Sequence, residues 1–385
     1  MKKFLYIDNS TRPCASEMDS LEEVRLDNCS LPCVEAAIAM DYRVYMGVNR
    51  TYAGRLTSGY GIQFYNANIF RSVTDIKNNI IAYKNLLALL KRERIDVIHC
   101  NTPIGGVLGR ICGNKARVGK IIYTVHGFHF YGGAPLINNT LYKWVEMWLA
   151  RYTDAIITMN REDYAAALKL RLRNNGRVYY IPGVGIDTSR FREYAPGRKN
   201  TRGCLGLKED DIMLIAAGDL VRRKNYEASI KSIAQAGNPR LHFYICGTGP
   251  RLTELEKLAH KLNIQDQVHF LGHRGDVAGL LKAADIFLFT SFQEGLPRSL
   301  MEAMASGLPC VASRIRGNTD LLAENAGGFL CAPNDIAGFC RAIRTLAEDA
   351  DLRKEMGLAN KKRVQDFDID KVRARIAEIY GQELA

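Results

Sequence analysis

Asp285-Ile286-Phe287-Leu288-Phe289-Thr290-Ser291-Phe292-Gln293-Glu294-Gly295-Leu296-Pro297-Arg298-Ser299-Leu300-Met301-Glu302-Ala303-Met304-Ala305-Ser306-Gly307-Leu308-Pro309 organises the rest of this chain. The apolar run 285–289 reads as a buried parallel strand. Glu294-Gly-Leu-Pro reads as the turn that leaves it. Ser299 to Ala305 reads as a helix, ended by Gly307 and Pro309. Cys310-Val311-Ala312 then opens another strand. The result is a βαβ unit with two carboxylates at one end. Glu294 sits on the loop, and Glu302 follows after seven intervening residues, about two helical turns on. A helix start offers free N–H groups and a positive dipole end, which suit a diphosphate. A loop carboxylate can hydrogen-bond sugar hydroxyls, and one further along the helix can take the two hydroxyls of a ribose. Two solvated glutamates are the plainer explanation of such a pair. The loop, the helix start and the following Ala-Met-Ala-Ser-Gly-Leu-Pro argue against it.

Glu294-x7-Glu302, with Gly-Leu-Pro and Glu-Ala-Met-Ala-Ser-Gly-Leu-Pro, resembles the signature of the retaining family 4 glycosyltransferases. That family has the GT-B fold, α/β with two doubly wound Rossmann-like domains facing across a cleft. Within it, the chain is similar to bacterial enzymes of capsule, exopolysaccharide or O-antigen (lipopolysaccharide) synthesis. The resemblance implies a retaining, metal-independent hexosyltransferase. It would move a sugar from a nucleotide-sugar, a UDP-sugar first, to a polyprenyl-diphosphate-linked or other saccharide acceptor, with no cofactor and no metal. Two alternatives stand beside it. One is another GT-B enzyme, such as a UDP-sugar 2-epimerase or a phosphorylase. The other is a non-catalytic partner in a polysaccharide assembly complex.

The composition fits. The chain has 385 residues, a length for two or three domains, and is 47% hydrophobic and 24% charged, enough apolar material for full cores. The net charge of +12 suits nucleic acid, an anionic membrane surface or an anionic substrate. The basic residues are dispersed and no nucleic-acid motif accompanies them, which argues against nucleic acid. No apolar run reaches the roughly 18 residues of a membrane span, and the short start Met1–Asp8 does not read as a signal peptide. The ten cysteines have no metal-site spacing and read as reduced thiols. A cytoplasmic protein, peripheral on the inner face of the cytoplasmic membrane, monomeric or loosely dimeric, is the expectation.

Along the first half, strands are expected at 4–7, 43–48, 61–64, 96–100, 120–125, 154–159 and 178–184. Helices are expected at 31–39, 76–94 and 141–151. The segment 9–30 is unassigned, because it lacks the glycine pair the family carries after its first strand. Asn101-Thr102-Pro103-Ile104-Gly105-Gly106 reads as a strand-to-helix turn, where backbone either approaches a ligand or merely packs. Thr124-Val125-His126-Gly127-Phe128-His129 follows a strand, at the end where open α/β sheets bind ligands. It resembles the family segment with the active-site His. His126 is therefore assigned to the donor sugar or acceptor, with His129 as the weaker candidate. Trp144 and Trp148 lie four apart on one face. Core packing accounts for them most simply, and an aromatic membrane anchor beside Lys143 and Arg151 is the other reading.

The expected domains are 1–184 on the acceptor side, a linker at 185–205, a nucleotide-sugar-binding domain at 206–364, and a last helix within 365–385 crossing back. In the second half, the strand 211–217 is followed by Gly218-Asp219-Leu220-Val221-Arg222-Arg223-Lys224, a glycine turn and basic triplet suited to phosphate. The family carries an Arg directly after the glycine and a Lys five residues later. Lys224 matches the Lys, and Asp219 stands in place of the Arg, so Arg223 is favoured as its substitute. Gly247-Thr248-Gly249-Pro250 resembles the family turn near the diphosphate. His273 and Arg274 are candidates to flank the base. The implied catalytic set is His126, Lys224 and Glu294. The implied donor set is Arg223, Gly247, His273, Arg274, Gly295, Leu296, Pro297, Ser299, Leu300 and Glu302.

Overall fold

The computed structural model describes residues 1–8, 24, 26–48, 56–69, 74–101, 103–193 and 197–385. The chain forms two compact units, Met1–Val184 with Asp370–Ala385, and Gly185–Ile369. Most of the unassigned segment 9–30 lies outside the described residues.

The first unit holds β1 (Lys3–Ile7), β2 (Arg43–Val48), β3 (Gln63–Asn66), β4 (Val97–Asn101), β5 (Lys120–Val125), β6 (Ala155–Thr158) and β7 (Arg177–Tyr180). They make one parallel sheet of order β3-β2-β1-β4-β5-β6-β7. Runs such as Phe4-Leu5-Tyr6-Ile7 and Ile121-Ile122-Tyr123 are buried throughout because helices cover both faces of the sheet. Strand order reverses between β1 and β4, where such sheets open a ligand crevice at their carboxyl ends.

Two expectations change here. The third strand begins at Gln63, because Gly61, at φ +65°, closes a turn with its N–H on the Ser58 carbonyl. Gly105 and Gly106 do not form a turn; they lie inside the helix Pro103–Lys115. Three glycines of this helix let it lie close on the sheet. A Cβ at Gly106 would meet the Tyr123 ring, one at Gly109 would meet Cys100 and Ile7, and one at Gly113 would meet Ile121 and Ile98.

The stretch expected as one helix over 141–151 is a π-helical turn, Asn138–Tyr142, running into an α-helix, Lys143–Ala150. Core packing is overturned for its tryptophans: Trp144 is 62% exposed and Trp148 37%. The face that docks is instead Leu149, Ala150 and Glu146, whose carboxylate pairs with the buried Arg110 guanidinium at 2.8 and 3.2 Å. Arg110 in turn stacks on the Tyr123 ring, 3.9 Å from its centroid.

The closing helix, Ile369–Leu384, completes this unit. Its Tyr380 hydroxyl hydrogen-bonds His99 Nδ1 at 2.5 Å, and Glu383 takes Lys120 at 2.9 Å and the Tyr179 hydroxyl at 2.6 Å.

The second unit holds β8 (Ile212–Ala217), β9 (Leu241–Cys246), β10 (Val268–Gly272), β11 (Ile286–Phe289), β12 (Cys310–Ser313) and β13 (Gly328–Cys331), in the order β10-β9-β8-β11-β12-β13. All neighbours are parallel. The order reverses between β8 and β11. Segment 185–205 packs into this unit: Phe191 enters its core, and Arg202 pairs with Asp285 at 3.0 Å.

Candidate active site

The exits of β8, β9 and β10 are laced by backbone bonds: Gly218 N–H to Cys246 O (2.9 Å), Leu220 N–H to Thr248 O (2.9 Å) and Gly247 N–H to Gly272 O (2.8 Å). A Cβ on Gly247 would fall on the Gly218 carbonyl, and one on Gly249 would crowd the Leu220 backbone. Only glycine permits loops this close. Bare backbone therefore lies at the strand exits beside the strand-order reversal.

The charged groups stand across that reversal. Arg222-Arg223-Lys224 forms a single 3-10 turn after β8, and Glu294 lies on the loop after β11. Lys224 Nζ donates to Glu294 Oε1 at 2.7 Å, with both residues under 10% exposed. Arg223 Nη1 lies 3.3 and 3.4 Å from the two carboxylate oxygens, and Arg316 Nε donates to the Glu294 carbonyl at 3.2 Å. The Lys224 ammonium also sits 4.8 Å from the Phe289 ring centroid. Among the triplet, the turn brings Arg223 and Lys224 to Glu294. Arg222 is exposed, and Asp219 is exposed on the preceding loop.

Asn225 holds the two loops in register. It adopts the left-handed conformation (φ 52°) and donates from Nδ2 to Thr290 O at 3.0 Å and Pro333 O at 2.9 Å. Phe292 N–H donates to Arg223 O at 2.8 Å. Asn225 and Arg316 were not singled out from sequence. An Asn after a basic turn is a visible candidate for a left-handed position; Arg316 falls in the segment 314–322, whose resemblance to a family loop bordering the cleft marks the segment and not the residue.

The helix that follows Glu294 runs Arg298–Ser306, and no side chain caps its start at Pro297. Its first-turn N–H groups, those of Ser299 among them, form a positive end facing the same loop. Leu300 is fully buried in the core, so it can meet a ligand only through its backbone. Leu296 also packs against that core. Gly295 meets Gly317: a Cβ on Gly317 would strike the Gly295 carbonyl, and Gly317 has φ +79°. Glu302 pairs with Arg298 at 2.8 Å, one turn back. His273 is exposed, and Arg274 is held by Asp276 at 2.6 and 2.8 Å. Among the described residues, no three His, Cys, Asp or Glu side chains gather as a metal site.

In the first unit, His126 follows β5. Its Nε2 is hydrogen-bonded to Asn101 Oδ1, at the end of β4. Asn101 Nδ2 donates to the Tyr6 hydroxyl at 2.6 Å, and that hydroxyl donates to the Cys29 carbonyl at 3.0 Å. These groups line a small cavity with Thr124 and Cys33. The carbonyl at the end of the relay can only accept, so every proton points one way. Tyr6 gives its proton to Cys29, Asn101 must offer Tyr6 its NH2, and its oxygen then accepts from His126. Neutral His126 is thereby the Nε2–H tautomer. His129 lies apart from this relay, its ring tilted against Tyr142 at 5.5 Å.

Two open parallel sheets, one with a cation–carboxylate cluster and bare backbone at its strand-order reversal, are the parts of a GT-B glycosyltransferase. The family models agree: residues 37–190 match "Glycosyltransferase Family 4", and residues 197–363 match "Glycosyl transferases group 1". The chain is 34% identical to EpsD of Bacillus subtilis (strain 168), a glycosyltransferase by name, over 89% of this chain and 90% of that one. It is 31% identical, over 80% of each, to an Escherichia coli enzyme named UDP-Gal:alpha-D-GlcNAc-diphosphoundecaprenol alpha-1,3-galactosyltransferase. In fold, it matches HepE of Anabaena, solved with UDP-glucose, at TM-score 0.76, with 21% identity, over 99% of this chain and 100% of that one. Sucrose-phosphate synthase of Thermosynechococcus elongatus matches at TM-score 0.80 with 19% identity, over 99% of each. The chain belongs to glycosyltransferase family 4.

Proposed function

We propose that this glycosyltransferase moves a hexosyl group, with retention and without a metal, from a UDP-sugar to a lipid-diphosphate-linked saccharide at the inner face of the cytoplasmic membrane. The observation that carries the reading is the convergence of Lys224 and Arg223 on Glu294 at the strand-order reversal. Breaking the anomeric C–O bond leaves negative charge on the departing diphosphate. Lys224, Arg223 and the uncapped start of the helix Arg298–Ser306 are preorganised cationic or partly positive groups, the kind that stabilises such charge best. Glu294 then orients the sugar through its hydroxyls while its cations turn to the diphosphate. Glu302 takes the ribose hydroxyls, and His126 contacts a sugar hydroxyl. The acceptor hydroxyl bonds the anomeric carbon on the face the diphosphate leaves and passes its proton to the departing diphosphate oxygen, with no protein nucleophile. Support for UDP and for a lipid-diphosphate acceptor comes from the substrates named for the E. coli relative and the UDP-glucose bound to HepE.

The test is calorimetric titration with UDP, GDP and ADP, followed by transfer assays with UDP-sugars and diphosphoundecaprenol-linked N-acetylglucosamine. UDP binding that Glu302→Ala abolishes and Lys224→Ala weakens is expected. Failure of all three nucleotides to bind the folded protein would sink the donor site as drawn.

A further inference from the structure

We propose that the face formed by Leu136, Ile137, Leu141, Trp144, Met147 and Trp148 docks the protein on an anionic lipid bilayer. This rests on the lipid-linked acceptor proposed above and names the surface that would reach it.

Large apolar side chains are ordinarily exposed singly. Here six, together with Tyr142, are exposed within thirteen consecutive positions, led by Leu136 at 80% and Trp144 at 62%. The arrangement is built rather than frayed. The π-helical turn Asn138–Tyr142 and the α-helix Lys143–Ala150 run on without a break. The opposite side of that helix is fixed by Leu149 and Ala150 in the core and by the Glu146–Arg110 pair. The apolar side chains are therefore presented outward by a clamped helix.

Charge selects the occupant. Glu146, the only acid between 135 and 151, is turned inward and neutralised by Arg110, while Lys143 and Arg151 are exposed. What faces outward is apolar, aromatic and positive. Trp and Tyr rings with flanking cations suit the boundary between acyl chains and anionic headgroups. A protein partner would need no such bias toward positive charge. Among the described residues no helix is long and apolar enough to cross a membrane, so the face would lie on the bilayer.

The face is also tied by short bonds to the loop that begins at His126: Asn138 Nδ2 donates to the His129 carbonyl at 2.7 Å, and Asn139 Oδ1 accepts the Tyr131 N–H at 3.1 Å. Docking would thus set the loop that begins at His126 against the lipid surface, where a lipid-linked acceptor is presented.

The chain's only two tryptophans are Trp144 and Trp148, so its tryptophan emission reports on this face alone. The experiment adds vesicles of phosphatidylethanolamine and phosphatidylglycerol, or of phosphatidylcholine alone, to the full chain. The expected result is a blue shift with the anionic vesicles, quenching by bromine-labelled acyl chains, and little response to phosphatidylcholine. The double variant Leu136→Ser/Met147→Ser, which keeps both tryptophans, should bind anionic vesicles about tenfold or more weakly with its UDP binding unchanged. Vesicle binding without a change in emission would overturn the proposal, as would full binding by the variant. A blue-shifted dimer without lipid would also overturn it and make the face a self-interface. Vesicle binding in a protein that binds no nucleotide would leave this surface standing and remove the donor reading instead.

Discussion

Lys224 Nζ lies 2.7 Å from Glu294 Oε1, although the two residues are 70 positions apart and each is almost buried. Neither charge has enough water to be comfortable alone. Lys224→Ala is expected to cost about 1–3 kcal/mol of stability and to cut turnover about 100-fold or more. The double variant Lys224→Met/Glu294→Gln should recover part of the stability and none of the turnover, because the neutral pair needs no partner. Denaturant unfolding and initial rates measure the two effects separately. Near-normal turnover in folded Lys224→Ala would remove Lys224 from the chemistry.

Asn225 predicts a different pattern. Asn225→Ala loses two hydrogen bonds and places a Cβ residue without a side-chain amide in the left-handed region, so a loss of about 2–3 kcal/mol is expected. Asn225→Gly keeps the conformation and loses only the bonds, so it should lie between Ala and wild type. Equal stability of the two variants would show that the backbone conformation costs nothing there.

The relay from His126 to Cys29 makes a spectroscopic prediction. At a pH where His126 is neutral, its ring nitrogens should show the Nε2–H tautomer by 15N NMR. Tyr6→Phe removes the group that orients Asn101, so the amide is free to turn and a mixed tautomer should appear. An unchanged tautomer in Tyr6→Phe would mean that Asn101 is fixed by other contacts.

His99 predicts acid sensitivity. Burial, with the nearby His126 adding to it, pushes its pKa down to about 3. The unfolded chain protonates His near 6.5, so the folded state gives up this proton advantage as pH falls. Stability from neutral His99 is full above about 6.5 and is lost progressively between there and about 3, at about 1.4 kcal/mol per pH unit. A His99→Gln variant should be less stable at neutral pH, since Tyr380 and Thr124 lose a tailored partner, yet show a shallower acid slope. Chemical denaturation across that pH range checks the slope. Parallel curves would place the acid lability elsewhere.

Much of this protein was legible in the chain itself, because the signals are local. The strand, turn and helix over 285–309 follow from one apolar run, one Gly-Leu-Pro and one terminating glycine. The alternation of such units makes two parallel sheets the economical fold, and the carboxylate spacing with the basic triplet carried the family. Other features depend on distant groups. Gly105 and Gly106 looked like a turn, since a glycine serves equally well for a bend or for a helix pressed on a sheet, and only Tyr123 across the interface shows which. Trp144 and Trp148 had the spacing of a core face, but spacing does not say whether a covering layer exists. Arg223 and Lys224 were favoured from sequence; their contact with Glu294, 71 and 70 positions away, held by the left-handed Asn225 and its bonds to Thr290 and Pro333, was not visible there. The partner of His126 was decided by the β4–β5 register, which sets Asn101 beside Thr124. Local sequence determined the elements and the chemical types at their ends. The tertiary structure alone decided which side chains face one another, because those pairings are fixed by hydrogen bonds and packing between segments the chain keeps far apart.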